Sequence, residues 1–153
     1  PGGLRAALGG GADGQVRYED LFATQPFYNN LVTLTLTGAQ LQQALEQQWL
    51  GQQRARVLQV SRGFSYAWDA SRPAGQRVLP GSLALDGVAI APAQRLRVTV
   101  NNYLASGGDN FSIFRQNGLD AQTGMMDIDA LEQYFRRMGS VAPGRLDRIR
   151  RVN

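Results

Sequence analysis

The sequence predicts an α+β fold: a single domain with a mixed, largely antiparallel sheet packed with helices. Strand-like and helix-like runs follow one another without the regular strand-helix-strand alternation of a parallel α/β sheet. The pair Asp86-Gly87 lies between two short apolar runs, which is the signature of a tight antiparallel hairpin. At 153 residues, 43% hydrophobic and 18% charged, the chain has the size and composition of one ordinary globular domain. It contains no internal repeat and no linker long enough to divide it. No apolar run reaches the length of a membrane-spanning helix.

The elements follow in order. Residues 9–14 are too glycine-rich for helix or strand and are expected to form a loop. Residues 19–23 are expected to make a helical turn that ends before Pro26, because the residue preceding proline is pushed out of the α region. Residues 31–36 alternate leucine with β-branched side chains and read as a strand. Thr37 is then a suitable N-cap for a helix in which Leu41, Ala44, Leu45 and Gln48 or Trp49 recur at helical spacing until Gly51. Residues 57–60 and 63–68 are expected as short strands. In the second, Phe64, Tyr66 and Trp68 share one side, which suits core aromatics better than a ligand box.

A turn-rich stretch, 69–75, leads to expected strands at 77–79, 83–85 and 88–90, the last two joined by the Asp86-Gly87 turn. Pro92 closes this hairpin before a strand at 95–100. There the alternation Arg95-Leu96-Arg97-Val98 gives one solvated and one buried face. A short element is expected at 111–114, ending at Asn117-Gly118. Residues 127–138 form an amphipathic helix pattern with Ile128, Leu131, Tyr134, Phe135 and Met138 on its apolar face. Asp127 or Asp129 stands at the positive end of its dipole. Residues 144–153 are expected to add an edge strand.

Composition excludes several kinds of chemistry. With no Cys and no His, the chain alone cannot assemble a thiol nucleophile, an imidazole base, a serine-histidine triad, a zinc site or a histidine-ligated two-metal centre. Zero cysteine leaves the redox compartment open. All 16 basic residues are arginine, and the net charge is +4. These arginines are scattered, apart from the dense end at 145–151, and read as solvated faces rather than a nucleic-acid surface. The chain opens without a signal-peptide pattern, as expected either of a cytoplasmic chain or of a piece cut from a longer precursor, and the missing initiating Met favours the piece.

Two stretches carry recognition chemistry. Residues 101–111 follow the strand 95–100 and set Tyr103, Gly107, Gly108 and Asp109 close together at a strand exit. Paired glycines let the backbone approach a ligand, and the carboxylate can accept hydrogen bonds from a diol. A Gly-Gly-Asp sequence is equally what a plain turn contains. In the second stretch, residues 25–30, Phe27 follows a proline and precedes the amides Asn29 and Asn30, just ahead of the strand 31–36. If Phe27 and Tyr103 emerge from neighbouring strand ends, their rings can sandwich a planar base; otherwise Phe27 packs inward and Tyr103 caps the sheet.

These motifs together resemble the C-terminal, substrate-recognition domain of the 5'-nucleotidase / UDP-sugar hydrolase family of bacteria, which has animal ecto-enzyme relatives. The resemblance runs through Gly2-Gly3-Leu4-Arg5, through Tyr18-Glu19-Asp20-Leu21-Phe22 to Pro26-Phe27-Tyr28-Asn29, through residues 34–45 with Thr37-Gly38, and through 102–111. It covers nearly the whole chain and implies one substrate-binding domain over 1–153. It implies that Phe27 and Tyr103 clamp a nucleobase, Asp109 accepts from the ribose, Asn29 contacts the base or a neighbouring loop, and Arg5 reaches the phosphate.

Several positions depart from the family pattern. Tyr103 stands where many members have Phe, Tyr28 and Asn110 where glycine is frequent, and residues 51–57 differ most. The resemblance further implies a preceding metallophosphatase domain of the same polypeptide, which holds two divalent metal ions and performs the hydrolysis. The present chain is then inactive alone, its ligand a nucleotide or nucleoside, and its location periplasmic or extracellular. The competing expectation is a stand-alone nucleotide- or nucleic-acid-binding module.

Overall fold

In a computed structural model of the chain, residues 4–9 and 13–153 are described. The opening Pro1-Gly2-Gly3 and the central part of the expected glycine-rich loop, Gly10-Gly11-Ala12, lie outside the described residues.

The alternating run after Pro26 forms β1, Asn30–Thr37, whose inward-facing Leu34 and Leu36 are almost fully buried. On one side it pairs with β5, Arg95–Asn101, antiparallel and in unbroken register from Leu31 opposite Asn101 to Thr37 opposite Arg95. On the other side it pairs with β6, Leu119–Met126, antiparallel with two register irregularities. The second sheet contains β2 (Phe64–Trp68), β3 (Ala84–Leu85), β4 (Val88–Ala89) and β7 (Ile149–Arg151), in the order β4-β3-β2-β7. Its pairs are antiparallel except that of β7 with β2, which is parallel. The α+β class with a mixed, mostly antiparallel sheet arrangement therefore holds, divided between two sheets.

Between the sheets lies α2, Gly38–Glu46. Its start is fixed by a reciprocal capping box: Gln40 N donates to Thr37 Oγ1 at 3.2 Å and Thr37 N donates to Gln40 Oε1 at 2.8 Å. Consecutive α2 residues serve different cores. Ala44 packs with Leu34, Leu36, Leu104, Phe111 and Phe114, while Leu45 packs with Trp49, Phe64, Tyr66, Val78 and Ile90. The remaining helices are α1 (Tyr18–Thr24), α3 (Asn102–Ala105), α4 (Ser112–Asn117) and α5 (Asp127–Met138).

Asp86 (φ 50°) and Gly87 (φ 80°) both take the left-handed conformation required by a two-residue hairpin turn, and β3 and β4 pair across them as expected. Phe64 and Tyr66 are buried and Trp68 stacks on Trp49 at 4.7 Å, so these aromatics belong to the core. Residues 57–60, expected as a strand, are irregular. The fully buried Gln48 holds this stretch instead, its carbonyl accepting from the N–H of the preceding Arg56 at 2.8 Å and its side-chain Oε1 from Leu58 N at 2.7 Å. The expected strand 77–79 reduces to a single bridge between Trp68 and Val78. Here the buried Glu46 carboxylate accepts from Arg77 N at 3.0 Å and Val78 N at 2.6 Å.

The strand β6 is absent from the sequence reading, and α5 is less deeply packed than its pattern suggests. Ile128 is buried, but Tyr134 and Met138 remain about half exposed. Asp127 opens α5 with its backbone N–H on Asn29 O at 2.7 Å, which ties this helix to the start of β1.

Candidate functional site

The pairing of Leu31 with Asn101 brings the entry to β1 and the exit from β5 to the same end of the three-stranded sheet. Residues 26–29 and 102–109 thereby adjoin the same sheet end, although some 75 residues apart in the chain. The strand exit is not a loop, as its glycines suggest, but a compact helical corner. Asn101 Oδ1 accepts from Leu104 N at 2.9 Å and caps α3, which carries Tyr103. Gly107 (φ 89°) then reverses the chain into a 3-10 turn, Gly108–Asn110. Leu104 before the turn and Phe111 after it are buried, at 7% and 0% exposure, so both ends of the corner are anchored in the core.

Within this corner the Tyr103 ring lies directly over Gly108. A Cβ at position 108 would stand 2.6 Å from ring atoms Cε1 and Cζ and from the Tyr103 carbonyl, so no larger residue fits without displacement. So placed, the Tyr103 hydroxyl donates to Asp109 Oδ1 at 3.0 Å and accepts from Asp109 N at 3.2 Å. Tyr103 is 47% exposed, leaving much of its ring open to solvent. Asp109 Oδ2 pairs with the Arg56 guanidinium at 3.0 Å. Asp109 (φ 53°) and Asn110 (φ 63°) both occupy the left-handed region, each at a cost on the order of 1–2 kcal/mol. Asparagine at 110 tolerates that region better than most residues.

On the segment that enters β1, Phe27 is half-buried and Arg5 stands over its ring, 4.8 Å from guanidinium carbon to centroid. Arg5 N also donates to Thr24 O at 2.9 Å, which fixes the start of the described chain beside α1. The residue implied to reach a phosphate and the residue implied to stack on a base thus lie against each other. Tyr28 adopts φ 52° and is 56% exposed, its ring 5.6 Å from that of Phe22. A non-glycine residue held in the left-handed region at a position where glycine is frequent is backbone strain at the site. Asn29 is half-buried, with its carbonyl accepting from Asp127 N. No ring contact joins Phe27 to Tyr103 among the described residues.

The arrangement presents two exposed phenol rings, Tyr103 and Tyr28, one phenylalanine with a cation over it, and a carboxylate fixed between a hydroxyl and a guanidinium. It offers stacking faces, hydrogen-bond acceptance and cationic charge. A separate apolar groove of about 440 Å³ runs beside β5, lined by Leu58, Val60, Phe64, Leu96 and Val98 among others, and neither Phe27, Tyr103 nor Asp109 borders it. Among the described residues no group of three or more metal-ligating side chains is assembled. The described residues therefore do not fit the metal pair that the resemblance implies for the preceding domain.

Sequence reasoning missed Arg56 and Gln52. Arg56 was grouped with the solvated arginines, yet it pairs with Asp109. Gln52 Nε2 donates to the Asp109 carbonyl at 2.7 Å, and Asn110 Nδ2 donates back to the Gly51 carbonyl at 3.2 Å. The residues flanking this pairing in sequence give no local signal of it. The nearest hint is that residues 51–57 depart most from the family pattern.

Comparison with known proteins agrees with this architecture. The model of the family described as "5'-nucleotidase, C-terminal domain" matches residues 1–116. A 5'-nucleotidase of Diplobatis ommata is 29% identical over 156 residues, which cover 97% of this chain and 27% of that protein. The trifunctional nucleotide phosphoesterase protein YfkN of Bacillus subtilis is 29% identical over 99% of this chain and 10% of its own length. Among solved structures, a 5'-nucleotidase precursor from Thermus thermophilus superposes with a TM-score of 0.82 and 32% identity, covering 99% of this chain and 30% of that one. The chain therefore spans less than a third of the length of these relatives.

Proposed function

The chain belongs to the 5'-nucleotidase C-terminal domain family, and from that premise we propose that it is the nucleotide- or nucleoside-recognising part of a phosphoric ester hydrolase. Phe27 and Tyr103 hold the base by stacking, Asp109 accepts from the ribose hydroxyls, and Asn29 contacts the base edge. Arg5 swings from the Phe27 ring to the phosphate, where its planar fork suits bidentate contact. Gly107 and Gly108 serve the pocket by shaping the corner that presents Tyr103 and Asp109. The observation that carries this reading is the antiparallel register that brings residues 26–29 and 102–109 to one sheet end.

Hydrolysis, in this reading, is performed by a metallophosphatase domain of the same polypeptide, whose two divalent ions would supply an activated water and Lewis acidity. The present chain contributes positioning, which lowers the entropic part of the barrier. Export to the periplasm or cell exterior is part of the proposal; among its relatives are a protein named as a precursor and snake venom 5'-nucleotidases. No helix of the described residues is long and apolar enough to cross a membrane.

Nucleic acid is not the proposed ligand, because much of the arginine charge is engaged within the fold. Arg97 donates to Thr35 Oγ1 and to the Asp120 and Thr33 carbonyls, Arg77 lies over Trp49, and Arg151 lies over Trp68. Titration with adenosine and AMP, with single-stranded oligonucleotides as the competitor class, tests the reading. Mononucleotide binding with a shallow salt dependence is expected. Oligonucleotide binding that falls steeply with salt would instead establish the nucleic-acid-binding alternative. Incubation with AMP and Mg²⁺, Mn²⁺ or Zn²⁺ is expected to release no phosphate at enzymatic rates.

A further inference from the structure

We infer that Arg56 is a positioning residue for sugar recognition: it and the Tyr103 hydroxyl fix the Asp109 carboxylate from opposite oxygens and so set a preference for a ribose diol over a sugar that lacks both hydroxyls. This inference rests on the nucleoside reading above and names a residue outside the set that the resemblance implies.

Hydrogen bonds lose strength steeply when misaligned, so an acceptor serving two adjacent hydroxyls must keep its plane. An aspartate alone rotates about two side-chain bonds and keeps no such plane. Here Oδ1 accepts from Tyr103 at 3.0 Å and Oδ2 meets Arg56 at 3.0 Å, which defines the carboxylate plane at both ends. The pair is partly sheltered, with side-chain exposures of 36% for Arg56 and 16% for Asp109.

The loop that carries Arg56 is itself anchored. Gln48, fully buried, accepts Arg56 N on its backbone carbonyl at 2.8 Å and Leu58 N on its side chain at 2.7 Å, so the backbone is pinned on either side of Val57. Six residues before Leu58, Gln52 reaches the Asp109 carbonyl at 2.7 Å, while Gly51 O receives Asn110 Nδ2 at 3.2 Å. One loop therefore fixes the backbone of the turn, its strained Asn110 and the carboxylate. A guanidinium placed only for solubility would need none of these links.

The test is calorimetric or NMR titration of the chain with adenosine and with 2′,3′-dideoxyadenosine. Wild type is expected to favour adenosine. Arg56→Ala is expected to weaken adenosine about tenfold while leaving the dideoxy ligand within about twofold, so that discrimination collapses. Arg56→Lys should restore part of it. In an Asp109→Asn background Arg56→Ala should change affinity by less than about twofold, the sign that both act through one carboxylate. If Arg56→Ala does not fold by circular dichroism, Arg56→Gln, which keeps the stem and a donor, is read by the same criteria.

Equal losses for both ligands, or no loss in a variant whose adenosine binding still requires Asp109, would overturn the inference while leaving the nucleoside reading intact. Wild-type protein that binds neither ligand overturns that reading and this inference with it.

Discussion

Around Asp109 the chain is tied from three directions: Tyr103 and Arg56 reach the carboxylate and Gln52 reaches the backbone carbonyl. Around Phe27 the arrangement is looser. One guanidinium lies over the ring, and the neighbouring Tyr28 is exposed and strained. The difference follows from what each side would recognise. A hydroxyl needs an acceptor at a set angle, whereas stacked rings tolerate centroid separations of about 4.5–7 Å and a range of offsets. Under the proposed function, the side assigned to the sugar is built in advance, and the side assigned to the base has only to offer a face.

That contrast can be broken most forcefully at its fixed side. Asp109→Ala should weaken adenosine binding on the order of ten- to a hundredfold in a calorimetric titration, since it removes charge-assisted hydrogen bonds. Unchanged binding would remove Asp109 from the site. Gly108→Ala should lower stability by roughly 1–3 kcal/mol in thermal unfolding, because its Cβ meets the Tyr103 ring at 2.6 Å. A neutral result there would mean that Tyr103 is not held where it now stands.

The looser side should respond in affinity more than in stability. Phe27→Ala is expected to reduce adenosine affinity on the order of tenfold through lost stacking. Its unfolding midpoint should move by no more than about 4 °C, the equivalent of roughly 1 kcal/mol in a domain of this size. The smallest change is expected of Tyr28→Gly. Relief of the left-handed strain, about 1 kcal/mol, is offset by the greater chain entropy of glycine and by the lost contact with Phe22, leaving thermal stability near its starting value. A large drop in melting temperature would show that the base side is as firmly built as the sugar side.

Elements defined by local pattern were legible in the sequence. The alternation before Thr37, the N-cap at Thr37, the Asp86-Gly87 turn and the periodicity of residues 127–138 each specify their structure within a few residues, and all are present. What was not legible depends on distant partners. β6 has the sequence Leu-Asp-Ala-Gln-Thr-Gly-Met-Met, without alternation, and it is a strand because β1 offers a second edge. Residues 57–60 have strand-like side chains, but the buried Gln48 takes the N–H of Leu58 and that of the preceding Arg56.

The same division applies to the candidate site. Tyr103, Gly107, Gly108 and Asp109 form one segment and can be read together, and the left-handed tolerance expected of Asn110 is used at φ 63°. Arg56 lies 53 residues before Asp109, in a region without pattern, and only the folded chain brings them to 3.0 Å. The helical corner also escaped notice, because its glycines suggest a loop while Asn101 caps a helix.

Amide chemical-shift perturbation of the isotope-labelled chain on addition of adenosine tests the proposed nucleoside site most directly. Saturable shifts are expected in both segments, residues 27–29 and 103–110, with smaller effects passing to Gln52 and Arg56. Absence of shifts, or saturable shifts confined to the apolar groove beside β5, would contradict a nucleoside site at this sheet end.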